Sequence, residues 1–571
     1  MTSIWQVQQP DPDAVQALAK LLKLPSSIAA LFINRNLTTA DQCRRFLDPS
    51  FEQLTPPSAL KDIDKATHRI TRALLNNETI QVFGDYDVDG VTSTTLIWSF
   101  LKQCGASVRA YIPHRMDEGY GIQPEQIKAV VLSNAATLII TVDCGVGSHA
   151  AISLAQEKGV DVIVTDHHEV PDPPPASLAV INPKQKGCTA HLSYLAGVGV
   201  AFYLLLNLRK HLRRIGFWTP QRPEPNLKEA CDLVALGTMA DMVPLINENR
   251  LLVRVGIGVL KRAPRPGLRA LMRLAGVDSA TVDGQAIAFR LAPRINAAGR
   301  MGHARSAFRL LAVGDESTAL NIAGDLERLN KKRRATENKV VEEVRRQIAD
   351  HPDLLDDPIL VLQRPHWHEG VLGIAAARAV RRYHRPAILL STRSGIAKGS
   401  ARSIPGVDIH KLISLCKQHL LGFGGHALAA GLQLAPEHID PFTDSLLTEA
   451  RQQIKAKNTR EITIDGHLDL HKITPSFLDL LGRMAPFGTA NPEPLFVCDN
   501  VRVIGHAVIG KNHLRLTLHQ KELPAGTFFQ AIWFNPPTLK TPDHFNQMAF
   551  KAAWNHWNGS KTPQIQIVAI R

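Results

Sequence analysis

The sequence predicts an α/β fold: a parallel-sheet unit, a long connecting helix, a second α/β unit, and a C-terminal small barrel or sandwich. Three observations predict it. Apolar, β-branched runs alternate with helical segments from about residue 60 to 260, and again from about 359 to 390. Residues 315–349 form a charged helical stretch without proline. Beyond about residue 455 only short strand-like runs remain. At 571 residues the chain is too long for one ordinary core, and roughly three or four domains are expected. The expected limits are 1–60 for an N-terminal helical segment, 61–300 for the first α/β unit, 301–350 for the connecting helix, 351–455 for the second α/β unit, and 456–571 for the β-rich end.

In chain order, short helices are expected around Leu24–Arg35 and Thr38–Asp48, with Pro56-Pro57 as a hinge. Strands follow at Thr79–Phe83, Ser107–Ile112, Thr137–Val142 and Val160–Val164, with a helix from about Thr92 to Cys104. Nearly continuous apolar strands between helices argue for a parallel sheet covered on both faces. Sites in such sheets form at the C-terminal strand ends. In the second unit, strands Ile359–Leu362 and Ala387–Leu390 flank a helix near Gly373–Tyr383. Two glycine-rich segments follow, Lys398–Ser403 and Gly422–His426, both read as loops.

The composition, 44% hydrophobic and 21% charged, is that of a globular protein. No apolar run reaches eighteen residues and no leader pattern opens the chain, so neither a membrane span nor a secretory signal is expected. Seven scattered cysteines without a CxxC pair fit a reducing cytoplasm and argue against a disulfide framework. The net charge of +14 favours a polyanionic partner.

The chemistry concentrates in four segments. Gly84-Asp85-Tyr86-Asp87-Val88-Asp89-Gly90 follows a strand, and three carboxylates so close together repel unless a cation is present. An EF-hand reading fails because the twelfth position from Asp85 is Leu96 rather than Glu. A haloacid-dehalogenase-type reading of Asp87-Val88-Asp89-Gly90 leaves the later segments without a role. Asp143 ends the next apolar strand, Asp166-His167-His168 ends another, and Asp241 follows the apolar run Leu233–Leu236. Strand termini of a parallel sheet lie along one edge, so these side chains can converge there. A lone Asp there is ordinarily a turn or cap, but an Asp-His-His triplet with three carboxylate-bearing neighbours points to metal. A mixed carboxylate and imidazole set suits Mn2+ or Mg2+, with Mn2+ favoured by the nitrogen ligands.

The four segments, in this order, resemble the motifs of the DHH phosphoesterase superfamily, and the resemblance extends over most of the chain. Arg294–Arg300 resembles the basic segment closing the catalytic domain of its RecJ-type nucleases. Trp367–Ala375, Gly399–Ser403 and Gly422–His426 are similar to a DHHA1 domain, and the C-terminal strands to an OB-fold. The resemblance implies a DHH catalytic domain, a DHHA1 substrate-binding lid and an OB-like barrel. It implies an exonuclease that degrades single-stranded DNA 5′-to-3′ to mononucleotides with two Mn2+ or Mg2+ ions, in recombination and repair. It also implies a RecQ-type helicase and the single-strand-binding protein as partners of a monomer.

By the same resemblance, Asp87, Asp89, Asp143, His167 and Asp241 are ligands, with Asp143 bridging. Asp85 is a ligand or supports one. Asp166 orients the histidines, and His168 touches the scissile phosphate or moves a proton. Arg294, Asn296, Arg300, Ser400, Arg402, Gly424, Gly425 and His426 are the substrate-binding candidates, and His368 is a weaker one. Pyrophosphatase-like members carry a His where this chain has Phe83, so one metal site is expected to be weaker. Arg502, Lys511, His513, Arg515, Phe528, Phe529 and Trp533 are the candidate strand contacts of the barrel. A noncatalytic replication or repair scaffold and a small-substrate DHH phosphatase acting on cyclic dinucleotides or short oligonucleotides are the competing readings. The filled ligand positions oppose the first, and chain length opposes the second.

Overall fold

The computed structural model describes residues 4–393, 395–454, 461–524, 526–557 and 560–571. Its first sheet has five parallel strands in the spatial order Ser107–Tyr111, Thr79–Gly84, Leu138–Val142, Asp161–Thr165, Ala179–Ile181. Leu138–Val142 is buried throughout and Asp161–Thr165 from its second residue on, as their apolar runs require. The strand order reverses between Thr79–Gly84 and Leu138–Val142, which opens a crevice at their C-terminal ends. Register aligns those ends. Gly84 pairs with Val142, Val142 with Thr165, and Thr165 with Ile181. Asp85, Asp143, Asp166 and Asn182 therefore leave the sheet side by side.

The helix after the first strand is Val88–Gln103 and begins earlier than its apolar pattern indicates. Asp87 accepts a 3.1 Å bond from the Gly90 N–H and caps it, so acidic Asp89 lies in the first turn, where the helix dipole favours negative charge. Leu233–Leu236 belongs to helix Cys231–Asp241. Asp241 thus reaches the site from a helix C-terminus and not from a strand end; a buried helix and a buried strand both read as apolar runs.

Helix Glu316–Asp350 spans 35 residues and serves two cores. Ala319, Ile322, Ala323 and Leu326 pack into the first unit, whereas Val340, Val341, Val344 and Ile348 pack with Trp367, Val371 and Leu389 of the second. The second sheet runs Gly422–His426, Ala429–Leu434, Ala397–Arg402, Ala387–Ser391, Leu360–Arg364. Both glycine-rich segments are strands of this sheet and not loops. Cross-strand bonds hold Gly399 and Gly424 extended despite their low strand propensity.

The C-terminal strands Phe496–Ile509, His513–His519, Phe529–Phe534, Ser560–Ile570 and His544–Trp557 pair in that order. The last closes back on the first, making a five-stranded barrel. The barrel shares a core with the chain's beginning: Ile28, Leu31 and Phe32 pack with Phe477, Phe496 and Phe550. The boundary expected at 455/456 lies outside the described residues. Among the described residues no single helix is long and apolar enough to cross a membrane.

Candidate metal centre and nucleic-acid cleft

Three ligand groups assemble at the sheet edge: Asp85, Asp87 and Asp143; Asp89, His167 and Asp241; and Asp143, His167 and His168. Within each group the ligand atoms lie within 4.8 Å of one another. His167 Nε2 stands 3.2 Å from Asp143 Oδ1, 3.7 Å from Asp241 Oδ2 and 4.0 Å from Asp89 Oδ2. Asp143 belongs to two groups and adopts a left-handed φ of 59°, a conformation Asp tolerates better than most residues.

Small residues let neighbouring helices reach these carboxylates. A Cβ on Gly197 would lie 2.6 Å from Asp143 Oδ1, and one on Gly237 would lie 2.7 Å from Asp89 Oδ1. The N-terminus of helix Gly197–Arg214 donates to Asp89 from Gly197 N–H at 2.6 Å and Val198 N–H at 2.9 Å.

The donor set fits divalent cations. Asp85 Oδ1, Asp143 Oδ1, His167 Nε2 and Asp241 Oδ2 are buried without a hydrogen-bond partner. Burial, then the charge of Asp87, holds the Asp85 carboxyl well above the usual carboxylate range. Burial with Asp241 does the same for Asp89, and burial with Asp89 for Asp143. Burial and Asp87 push Asp241 up to about 7. Bound cations would offset each of these shifts by favouring the charged carboxylates. Burial, then the charge of His168, pushes His167 down to about 3, so its neutral ring is free to ligate.

The rest of the triplet acts otherwise. Asp166 Oδ1 accepts from the backbone N–H groups of His167 at 2.7 Å and His168 at 3.1 Å, and lies 2.7 Å from His168 Nδ1. Burial opposes charge on both partners, yet this bond and the mutual attraction win. Asp166 stays below the usual range and His168 rises to about 9. Tyr120 Oη sits 3.1 Å from His168 Nδ1 and donates to the Asp143 carbonyl.

The second unit faces this edge across a cleft of about 1200 Å3. His426 stacks on His168 with ring centroids 6.0 Å apart. Ser400, Arg402, Gly424, Gly425, His426 and Arg300 all line the cleft. Arg402 bonds Ser400 Oγ at 3.1 Å, and Gly373 leaves room for both, since a Cβ there would lie 2.7 Å from Arg402. Gly425 holds φ at 142°, and a Cβ would approach the Ala429 carbonyl to 2.3 Å. Arg300 donates to the Gly370 carbonyl at 3.1 Å. Burial and the nearby guanidinium of Arg115 weaken its hold on a proton, to about 9. An anion in the cleft relieves that crowding.

Two candidates stand apart. Arg294 is half-buried against Glu327 at 2.7 Å and is not among the cleft residues. Asn296 lines a smaller apolar groove of about 350 Å3 next to Arg300. His368 is occupied as a helix cap, accepting from Gly370 N–H. In the barrel, Trp533 is core, whereas Arg502, Lys511, Arg515 and Phe528 are exposed. Sequence reasoning missed Arg115, which lies over the Tyr86 ring, and the glycine-rich Gly197–Gly199 at its helix N-terminus. The dense glycine spacing before an apolar run was the available signal for the latter.

Fold and site together define a DHH-type phosphoesterase. The description "DHH family, N-terminal domain" matches residues 79–238, "DHHA1 domain" matches 356–453, and "RecJ OB domain" matches 464–569. The chain is 35% identical to the single-stranded-DNA-specific exonuclease RecJ of Bacillus subtilis over 99% of its own length and 70% of that protein's. It is 36% identical to the RecJ of Dickeya dadantii over 95% and 96%. The structure of RecJ in complex with Mn2+ from Thermus thermophilus superposes with a TM-score of 0.84 at 30% identity, covering 100% of this chain and 79% of that one. The chain therefore belongs to the RecJ family of single-stranded-DNA-specific exonucleases.

Proposed function

We propose that this protein degrades single-stranded DNA from the 5′ end to mononucleotides by two-metal phosphodiester hydrolysis, in recombination and repair. The observation carrying this reading is the set of four unpartnered ligand atoms on Asp85, Asp143, His167 and Asp241, beneath a cleft walled by arginines. In it, Asp87, Asp89, Asp143, His167 and Asp241 would hold the ions, with Asp143 common to two ligand groups and Asp85 completing the all-oxygen group. That group has no nitrogen donor, because Phe83 is buried hydrocarbon stacked on Tyr111; it is the weaker site. Bound there, Mn2+ or Mg2+ would supply a water of lowered pKa and positive charge against an in-line displacement.

The protein's own groups do the rest. Asp166 holds His168 as a cation aimed at the substrate, either against the scissile phosphate or as a proton donor to the leaving oxygen. Arg300, Ser400 and Arg402 grip the terminal phosphate, and Gly424 and Gly425 let the backbone approach it. The family resemblance supports the polarity, the monomeric state and the helper partners, a RecQ-type helicase and the single-strand-binding protein. Seven free cysteines support a cytoplasmic setting.

The test is end-labelled single-stranded DNA, with and without a 5′ phosphate, in Mn2+, Mg2+ or chelator, beside duplex and dinucleotide controls. Mononucleotides released only from the 5′ end, and only with metal, are expected. Release from the 3′ end, or preference for dinucleotides, overturns the reading.

A further inference from the structure

The fifth strand of the catalytic sheet ends without a carboxylate. Ile181 pairs with Thr165, so Asn182 leaves the sheet level with Asp166. Asn182 is fully buried. Its Nδ2 donates to the His168 carbonyl at 2.9 Å, and its Oδ1 accepts from the Lys184 N–H at 2.8 Å. The turn bearing Lys184 is therefore tied to the backbone bearing His168.

Lys184 lines a groove of about 550 Å3 with Ser193, Tyr194 and Asp241. The groove shares His168, Glu169 and His426 with the arginine cleft, and its other walls are different. The ammonium lies near enough to act electrostatically on His167, Asp241 and His426. It rests 3.0 Å from Glu169, whose side chain is 72% exposed. An exposed pair of this kind contributes little stability and yields readily to a phosphate.

We propose that this groove is a second phosphate subsite, and that Lys184 binds a phosphate there beside Asp241 while the arginine cleft holds another. The phosphate belongs either to the strand beyond the scissile bond or to the released nucleotide. Glu169 competes for Lys184 and sets how tightly the subsite binds. The inference rests on the nuclease reading above. A merely structural ion pair makes a different demand, because loss of either partner then has the same effect.

The experiment measures steady-state hydrolysis of a 5′-phosphorylated single-stranded oligonucleotide with Mn2+, and inhibition by a deoxynucleoside 5′-monophosphate. The variants are Lys184→Met, Lys184→Arg and Glu169→Gln, with melting temperatures as the folding control and Lys184→Gln in reserve. For a strand phosphate, Lys184→Met raises KM about tenfold with kcat within about twofold, and lowers the salt slope of binding by about one. For a product phosphate, it raises the inhibition constant instead. Lys184→Arg restores either, and Glu169→Gln shifts the same constant the opposite way. Unchanged constants in Lys184→Met, or shifts of the same sign in Lys184→Met and Glu169→Gln, overturn the subsite. If the unaltered protein leaves the strand intact, it is the nuclease reading that fails.

Discussion

The two walls of the cleft present opposite charge by opposite structural means. The catalytic sheet buries Asp85 and Asp143 directly after aligned strand ends, and Asp89 in the first turn of the helix that follows. The second unit offers half-buried Ser400 and Arg402 and exposed His426 from antiparallel strands. Like charges held together in a dry site need a rigid frame and a cation. A surface that must accept and release a strand needs reach, close backbone approach and water. The long helix joins the walls by giving each half of itself to one core, so their separation depends on packing at both ends.

The largest effect tests the anionic wall alone. Asp143→Ala removes the residue common to two of the candidate ligand groups, and hydrolysis is expected to fall on the order of a thousandfold or more, while strand binding in a filter assay persists. Normal turnover by that variant breaks the metal assignment.

The cationic wall is probed by Arg402→Ala. KM for a 5′-phosphorylated strand rises roughly 10- to 100-fold, and KM for a 5′-hydroxyl strand changes much less. Equal effects on both substrates would remove the terminal-phosphate role. Gly425→Ala tests the backbone of the same wall. It forces a Cβ against the Ala429 carbonyl, costs about 1–3 kcal/mol locally, and lowers activity by about tenfold without changing metal affinity. Weakened Mn2+ binding in calorimetry would show that the walls are not independent.

The smallest effect is one of stability. Asp241 is pushed up to about 7, so the folded, metal-free chain holds a proton that the unfolded chain has released. The stability this proton confers is complete below the ordinary carboxylate range and is lost as pH rises through about 7. Chelated protein should therefore melt a few degrees lower at pH 8 than at pH 5.5, and added Mn2+ should raise the melting temperature more at pH 8. A metal-free melting temperature that rises with pH over this range would contradict the crowding of carboxylates.

Legibility differed between the walls for a physical reason. Asp85–Asp89, Asp143 and Asp166–His168 each follow an apolar strand directly, and strand ends of a parallel sheet must meet. That convergence was readable from spacing alone. Asp241 was found through the wrong element, because a buried helix and a buried strand share the same apolar composition. Lys398–Ser403 and Gly422–His426 read as loops because glycine disfavours strands locally, and only cross-strand pairing overrides that preference. Arg294 resembled a phosphate contact in its motif, but Glu327 on the connecting helix occupies it.

By itself the sequence determined the α/β class, the order of the units, the acidic and imidazole chemistry, and the likeness to the DHH superfamily, since all of these are written in local pattern. The likeness to an OB-fold already implied a C-terminal barrel; only the tertiary structure decided that the chain's first helices complete its core. It alone set Asn182 level with the aspartates, and it alone brought His426 over His168. Those outcomes depend on contacts between residues separated by tens to hundreds of positions, and no local periodicity encodes them.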